Sequence, residues 1–211
     1  EKTSDELRTD KYISNAIINV IKLIYRQKPN YSKDKVQLDP TIMYEEEIEF
    51  LHSNNFRNSL IAKISNKLQK NTLIMVDRIA HGEVLLEWVA KYAPDKSVYF
   101  IRGAVEIEDR EKIRKLMEKK DNIVCIAISS IFSTGINIKN LHNIIFASAG
   151  KAKVKIIQSI GRGLRLHESK DMLFIYDIAD MLLYGTKHLQ KRIDLYDQEK
   201  ITVKTREIIE T

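Results

Sequence analysis

Between Asn71 and Asp177 five short apolar runs recur: Thr72–Val76, Ser97–Ile101, Asn122–Ile128, Asn143–Ala147 and Met172–Asp177. Amphipathic stretches lie among them, Ile79–Tyr92 (Val84, Leu85, Trp88, Val89 inward), Ile107–Lys119 (Ile113, Leu116, Met117 inward) and Val154–Leu166. A strand with one wet face alternates apolar and polar residues, whereas these runs are continuous, so both of their faces must be covered. Helices between successive strands supply the long crossover that a parallel pair requires. The pattern predicts an α/β fold, an open parallel sheet with helices on both faces. Trp88 and the apolar stripes read as core packing.

The flanks are less regular. Ile17–Tyr25 is rich in β-branched residues and its end alternates, which favours a strand, although Ile13, Ile17, Val20, Ile21 and Ile24 also share a helical face. Lys28–Lys35 is polar and carries Pro29, as a loop does. Tyr44–Leu51 reads as a helix whose first turn is acidic, Glu45-Glu46-Glu47, and a second helix carries Leu60, Ile61, Ile64 and Leu68. These divisions suggest a lead-in over residues 1–68, a main domain over 69–185, and a charged, helical tail over 186–211.

The longest apolar run, Ile123–Ile128, is far too short to span a bilayer, which takes about 20 residues. The single cysteine, Cys125, lies inside that run and reads as a buried thiol of a reducing, cytoplasmic setting. The five histidines show no spacing that would hold zinc, so no metal site is expected. A net charge of +6 is compatible with a polyanionic partner without requiring one. The chain begins at Glu1, with no basic-then-apolar signal region, and reads as a piece of something longer.

Ligands of open parallel sheets sit beyond the carboxyl ends of the strands, and two segments in such positions stand out. Ser129–Ile138 sets small hydroxyl residues around Gly135, leaving backbone N–H groups open to phosphate oxygens, or else forming an ordinary capped turn. Gln158, Arg162 and Arg165 fall at i, i+4 and i+7 and share one helical face. Gly161 and Gly163 each cost about 1 kcal/mol in a helix, which implies a close backbone approach there. Two guanidiniums converging on one point suit a polyphosphate, though a solvated basic face is the plain alternative. Neither a Walker loop, nor a dinucleotide loop, nor an acidic pair that could hold magnesium is present. Such a chain is half of a site.

In order along the chain, these segments resemble the second RecA-like domain of superfamily 2 helicases. Gln158-x-x-Gly161-Arg162-x-x-Arg165 matches motif VI, and Ser133-Thr134-Gly135-Ile136-Asn137 matches motif V. Leu73–Val76 followed by His81-Gly82 looks like motif IV, and Ile101-Arg102-Gly103 with Arg110 looks like the next element. Phage branch-migration and unwinding helicases are similar also through Tyr44–Ile48, Arg57-Asn58 and Lys139–His142.

The resemblance implies roles. Arg162 and Arg165 would be arginine fingers reaching the ATP phosphates across a cleft, with Gln158 positioning them or the attacking water. Gly135, Asn137 and Gly161 would line the nucleotide, Thr134 a nucleic-acid phosphate or the ATP-sensing network, and Gly103 and Arg110 the nucleic-acid backbone. Many relatives carry Asp where Asn137 stands, which replaces a charged ribose contact by an amide that still hydrogen-bonds a hydroxyl. The implied fold is RecA-like, the P-loop NTPase type. The implied cofactor is ATP with Mg²⁺, held mainly by a first RecA-like domain of the same polypeptide. The implied partners are DNA or RNA, as single strands or branched structures, and no membrane. Alternatives are the motor part of a restriction enzyme, a non-catalytic nucleic-acid-binding module of the same fold, and a Rossmann enzyme, which lacks its loop here.

Overall fold

The computed structural model describes residues 15–31, 39–102, 107–129, 140–148 and 172–211. Seven strands form one parallel sheet in the order β3-β4-β2-β5-β6-β1-β7. They are β1 (Asn15–Ile24), β2 (Thr72–Val76), β3 (Ser97–Ile101), β4 (Ile123–Ile128), β5 (Asn143–Phe146), β6 (Met172–Asp180) and β7 (Thr202–Ile209). The helices are α1 (Pro40–Ser53), α2 (Asn55–Lys67), α3 (Ile79–Tyr92), α4 (Ile107–Lys119) and α5 (Leu183–Gln198). Every residue of β2, β4 and β5 is buried, the signature of a sheet covered on both sides. Cys125, in the middle of β4, is buried as a free thiol, and burial pushes its pKa up to about 12.

The helices divide between the two faces for a topological reason. The crossover through α3 runs from β2 outward to β3, and the one through α4 runs back to β4. Parallel crossovers are right-handed, so opposite directions put these helices on opposite faces. On β6, Asp180 meets Arg57 of α2 while Asp177 meets Arg192 of α5. Side chains three apart on a strand point to opposite faces, so α2 and α5 are likewise divided.

Both ends of the chain enter the sheet. β1 lies between β6 and β7, parallel to each, with Ile18 opposite Ile175 and Val203. This decides Ile17–Tyr25 for the strand: two neighbouring ladders satisfy its backbone, and its β-branched residues pack on a pleated surface. At the other end, the helix that starts in the 183–198 stretch is followed by β7. Exposed polar side chains, Lys204, Arg206 and Glu207 among them, blunt that edge strand against further pairing.

α1 starts four residues before the expected Tyr44. Asp39 accepts a hydrogen bond from Thr41 N at 2.7 Å and Pro40 takes the first turn, a start signal stronger than the acidic run. Glu45, Glu46 and Glu47 therefore lie in the middle of the helix. Glu45 pairs with Arg78, and Glu47, only 1% exposed, reaches the start of α5. Its oxygens accept from Tyr184 N at 3.0 Å and Gly185 N at 2.8 Å, and from the Tyr31 hydroxyl at 2.8 Å. Leu182, at the N-cap of α5, offers no side-chain acceptor, so a carboxylate from another helix satisfies those amides.

Gly185 sits hard against β6: a Cβ there would lie 2.1 Å from the backbone oxygen of Asp180. Backbone cannot swing aside as a flexible side chain does. Gly185→Ala is expected to cost about 1–3 kcal/mol in urea unfolding of the 211-residue chain; an unchanged midpoint would refute this packing of α5.

At the amino edge of the sheet one side chain holds three elements. Asn71 donates to the carbonyls of Met117 (2.6 Å), Lys120 (2.8 Å) and Asn140 (3.0 Å), and its Oδ1 accepts from Ile123 N at 3.0 Å. The end of α4, the start of β4 and the lead into β5 are thereby tied together.

Candidate functional site

The carboxyl edge of the sheet is where a ligand of this fold class is expected, and the ends of its strands are nearly level. Val76 pairs with Ile128, Ile101 with Ala127, and Phe146 with both Met75 and Asp177. From β3, β4 and β5 the chain runs on into residues 103–106, 130–139 and 149–171. Those segments carry Gly103, then Thr134, Gly135 and Asn137, then Gln158, Gly161, Arg162 and Arg165, all of which lie outside the described residues. Arg110 is on α4, and only its backbone is described. The described residues show what anchors the strands from which these segments depart.

Ser129 follows β4 and donates from Oγ to Val76 O at 3.0 Å, fastening β4 to β2 at their ends. Ala147 follows β5; its N–H donates to Met75 O at 3.0 Å and its carbonyl accepts from Arg57 Nη2 at 2.6 Å. Arg57 is fully buried, an unusual place for a guanidinium, and its charge is matched. Nε donates to Asp180 Oδ1 at 2.8 Å and Nη2 to Oδ2 at 3.2 Å, a two-pronged grip on the last residue of β6. The Tyr25 hydroxyl donates to Asp180 Oδ1 at 2.5 Å, bringing in the residue after β1. Tyr25 packs edge-on against Phe50 of α1 and Phe56 of α2. Burial, then the neighbouring Asp180 charge, push the Tyr25 pKa well up, so the phenol stays a donor. One buried cluster therefore fixes the ends of β5, β6 and β1 to α2.

His81, on the first turn of α3, closes the cluster. Asn58 Nδ2 donates to His52 O at 2.8 Å, which turns its Oδ1 toward His81 Nε2 at 3.2 Å. Arg57 Nη1 approaches the same nitrogen at 3.4 Å, so His81 Nε2 lies between a donor and an acceptor. His52 stacks on His81 with centroids 4.3 Å apart. Burial first, and the Arg57 charge second, lower the pKa of both rings, that of His52 to about 4. His81 and Gly82 thus have structural reasons: a Cβ at Gly82 would meet the Phe100 ring of β3 at 2.3 Å.

Neutral burial has a pH signature. Below the ordinary histidine pKa of about 6.5 the unfolded chain takes up protons that the native rings refuse, so stability falls as pH drops. For the buried His81 the loss at pH 5 is about 2 kcal/mol, or roughly 4–8 °C in Tm. His52→Phe keeps the ring stack and removes one titrating group, and its Tm is expected to fall less between pH 7.5 and pH 5. An identical fall would mean that His52 is charged in the native state.

On the opposite face, Asp177 is held by Arg192 Nε at 2.7 Å and by the Tyr196 hydroxyl at 2.7 Å, both from α5. Sequence reasoning noted Arg57 only within the resemblance and gave Asp180, Asp177 and Arg192 no role. The signal was two carboxylates in an otherwise apolar run, Met172–Asp180, which must find cationic partners once buried. Among the described residues no cluster of three His, Cys, Asp or Glu side chains is arranged to hold a metal ion. No described helix is long and apolar enough to cross a membrane.

The helicase conserved C-terminal domain family matches residues 55–167, more than half of the chain. The chain belongs to that family. The matched span of this helicase C-terminal domain runs from Asn55, next to the buried Arg57, through Arg162 and Arg165. The ATP-dependent DNA helicase uvsW of Enterobacteria phage T4 is 32% identical over 217 residues, covering 94% of this chain and 42% of that protein. Putative helicase 22 of a Sulfolobus islandicus filamentous virus is 30% identical over 130 residues, covering 61% and 22%. The crystal structure of T4 UvsW matches with a TM-score of 0.72 at 31% identity, over 92% of this chain and 42% of that one. The C-terminal domain of the DEAD-box protein Dbp5 matches with a TM-score of 0.56 over 94% of this chain and 92% of its own length; at 12% identity that is a likeness of fold alone. The fold is RecA-like. The helicase C-terminal domain spans less than half the length of the curated relatives it matches.

Proposed function

We propose that the chain is the C-terminal motor domain of an ATP-dependent superfamily 2 DNA or RNA helicase or translocase, acting inside the cell on single strands or branched DNA. The match to the helicase C-terminal family over residues 55–167, which contains the Gln158-x-x-Gly161-Arg162-x-x-Arg165 motif, carries this reading. ATP binds between this domain and a first RecA-like domain of the same polypeptide. Mg²⁺, held mainly by that first domain, offsets the charge of the ATP phosphates.

Arg162 and Arg165 stabilise charge on the phosphates as it builds during transfer to water, and Gln158 positions them or the attacking water. Gly135, Asn137 and Gly161 hold the nucleotide. Thr134, Gly103 and Arg110 grip the nucleic-acid backbone, so binding is weakly sequence-dependent and falls steeply with salt. Closure and opening of the cleft exchange the two domains' grips along a strand. In this scheme Arg57 and Asp180 are supports: they fix the end of β5, from which the motif segment departs, and touch no substrate.

The test is nucleic-acid-stimulated ATP turnover in the parent polypeptide and in the 211-residue chain alone. Turnover by the parent and none by the chain fits a site divided between two domains. A folded parent with no stimulated turnover would replace the motor reading by that of a binding module.

A further inference from the structure

The β6-β1-β7 end of the sheet carries an open aromatic and cationic surface. On the face occupied by Asp180, the carboxyl half is covered: Ile21, Leu23 and Tyr25 are buried, with Phe50 and Phe56 against Tyr25. Among the described residues the amino half is more exposed. The register sets Phe174 opposite Ile17, Tyr176 opposite Asn19, and Asn19 opposite Lys204, with Arg206 two residues further along β7 on the same face. Phe174 is 37% exposed; Ile17, Asn19 and Tyr176 are half-buried; Lys204 and Arg206 are exposed. Strand alternation puts Tyr176 and Arg206 on this same face, where burial of the phenol outweighs the nearby Arg206 charge and raises the Tyr176 pKa. Among the described residues of these three strands, no carboxylate shares the amino half of the face.

Two aromatic rings in one row on a sheet surface, flanked by cations on a strand about 9.5 Å away, form a stacking platform beside a phosphate rail. Duplex bases are already stacked and cannot lie on such rings, whereas unpaired bases can. We infer that this face binds single-stranded nucleic acid, two bases stacking on Phe174 and Tyr176 and the adjoining phosphates meeting Lys204 and Arg206. The site rests on the nucleic-acid reading of the domain but lies on a sheet face, away from the carboxyl edge. It gives the domain a second hold on a strand that is already separated. Every base has a π-face, so the hold is sequence-tolerant.

Fluorescence anisotropy of a labelled oligothymidine with the 211-residue chain tests the inference. Phe174→Leu/Tyr176→Leu keeps apolar volume and removes both rings, and it is expected to weaken binding at least tenfold. Phe174→Tyr keeps the ring and is expected to bind as the parent sequence does. Lys204→Gln/Arg206→Gln should lower the slope of log affinity against log salt by about 1.4, the value for two phosphate contacts on a single strand. Thermal unfolding of each variant checks that it is folded. Unchanged affinity in the folded double-leucine variant would overturn the platform and leave the motor reading standing. So would failure of the unmodified chain to bind, or protection of this face only on self-association. Loss of stimulated ATP turnover by the parent, with the platform still binding, would instead sink the motor reading alone.

Discussion

Replacing Arg57 by Met in the 211-residue chain is expected to lower stability by about 3–5 kcal/mol, measured by urea unfolding. The side chain is fully buried, and the variant would leave Asp180 charged inside the protein with, among the described residues, only Tyr25 as a partner. It would also orphan the Ala147 carbonyl, which accepts from Arg57 Nη2 at 2.6 Å. Met fills most of the volume, so the loss reports the broken ion pair rather than a cavity. A second substitution, Asp180→Asn, removes the stranded charge and should recover part of the stability. A single variant within 1 kcal/mol of the parent sequence would show that the pair does not hold the carboxyl edge.

The second large effect falls on activity. In the parent polypeptide, Arg165→Ala should lower nucleic-acid-stimulated ATP turnover by about 10³-fold, as removal of an arginine finger does. Nucleotide affinity should change far less, because most of the grip on ATP belongs to the other domain in the proposed arrangement. The physical reason is differential: a guanidinium aimed at the transferring phosphoryl group is worth most when charge peaks there. Arg165→Lys keeps a charge but not the planar fork, and should rescue little. Near-normal turnover in a folded Arg165→Ala protein would remove Arg165 from the site. Arg162→Ala distinguishes a shared role from a single one, since residues that act as a unit lose activity non-additively.

Comparison of these two arginines shows how far sequence reading reaches. Arg165 stands out because its spacing from Gln158 and Arg162 is that of one face of a helix, beside glycines that a helix disfavours, and because that string matches a motif. Arg57 belongs to the resemblance through Arg57-Asn58, but no local spacing marks what it does. Its partners are 90 and 123 residues away, at Ala147 and Asp180, and no periodicity links positions so far apart. The same holds for Glu47 and the amides of Tyr184 and Gly185, where an acidic run in one helix caps another 137 residues later. An acidic triplet reads most simply as a helix start, and the stronger Asp39-Pro40 signal overrides it.

The sequence by itself determined the architecture: continuous apolar runs need cover on both faces, and helices between them dictate parallel strands with right-handed crossovers. It also marked the motif residues, because their spacing is local. Tertiary structure alone decided that β1 lies between β6 and β7, since Ile17–Tyr25 suits a helix or a strand until neighbouring ladders claim its backbone. Tertiary structure likewise decided which charges are buried, and with which partners. A charge enters a protein interior only when its counter-charge arrives in the same place, and the folded chain alone brings Arg57 to Asp180 and Arg192 to Asp177.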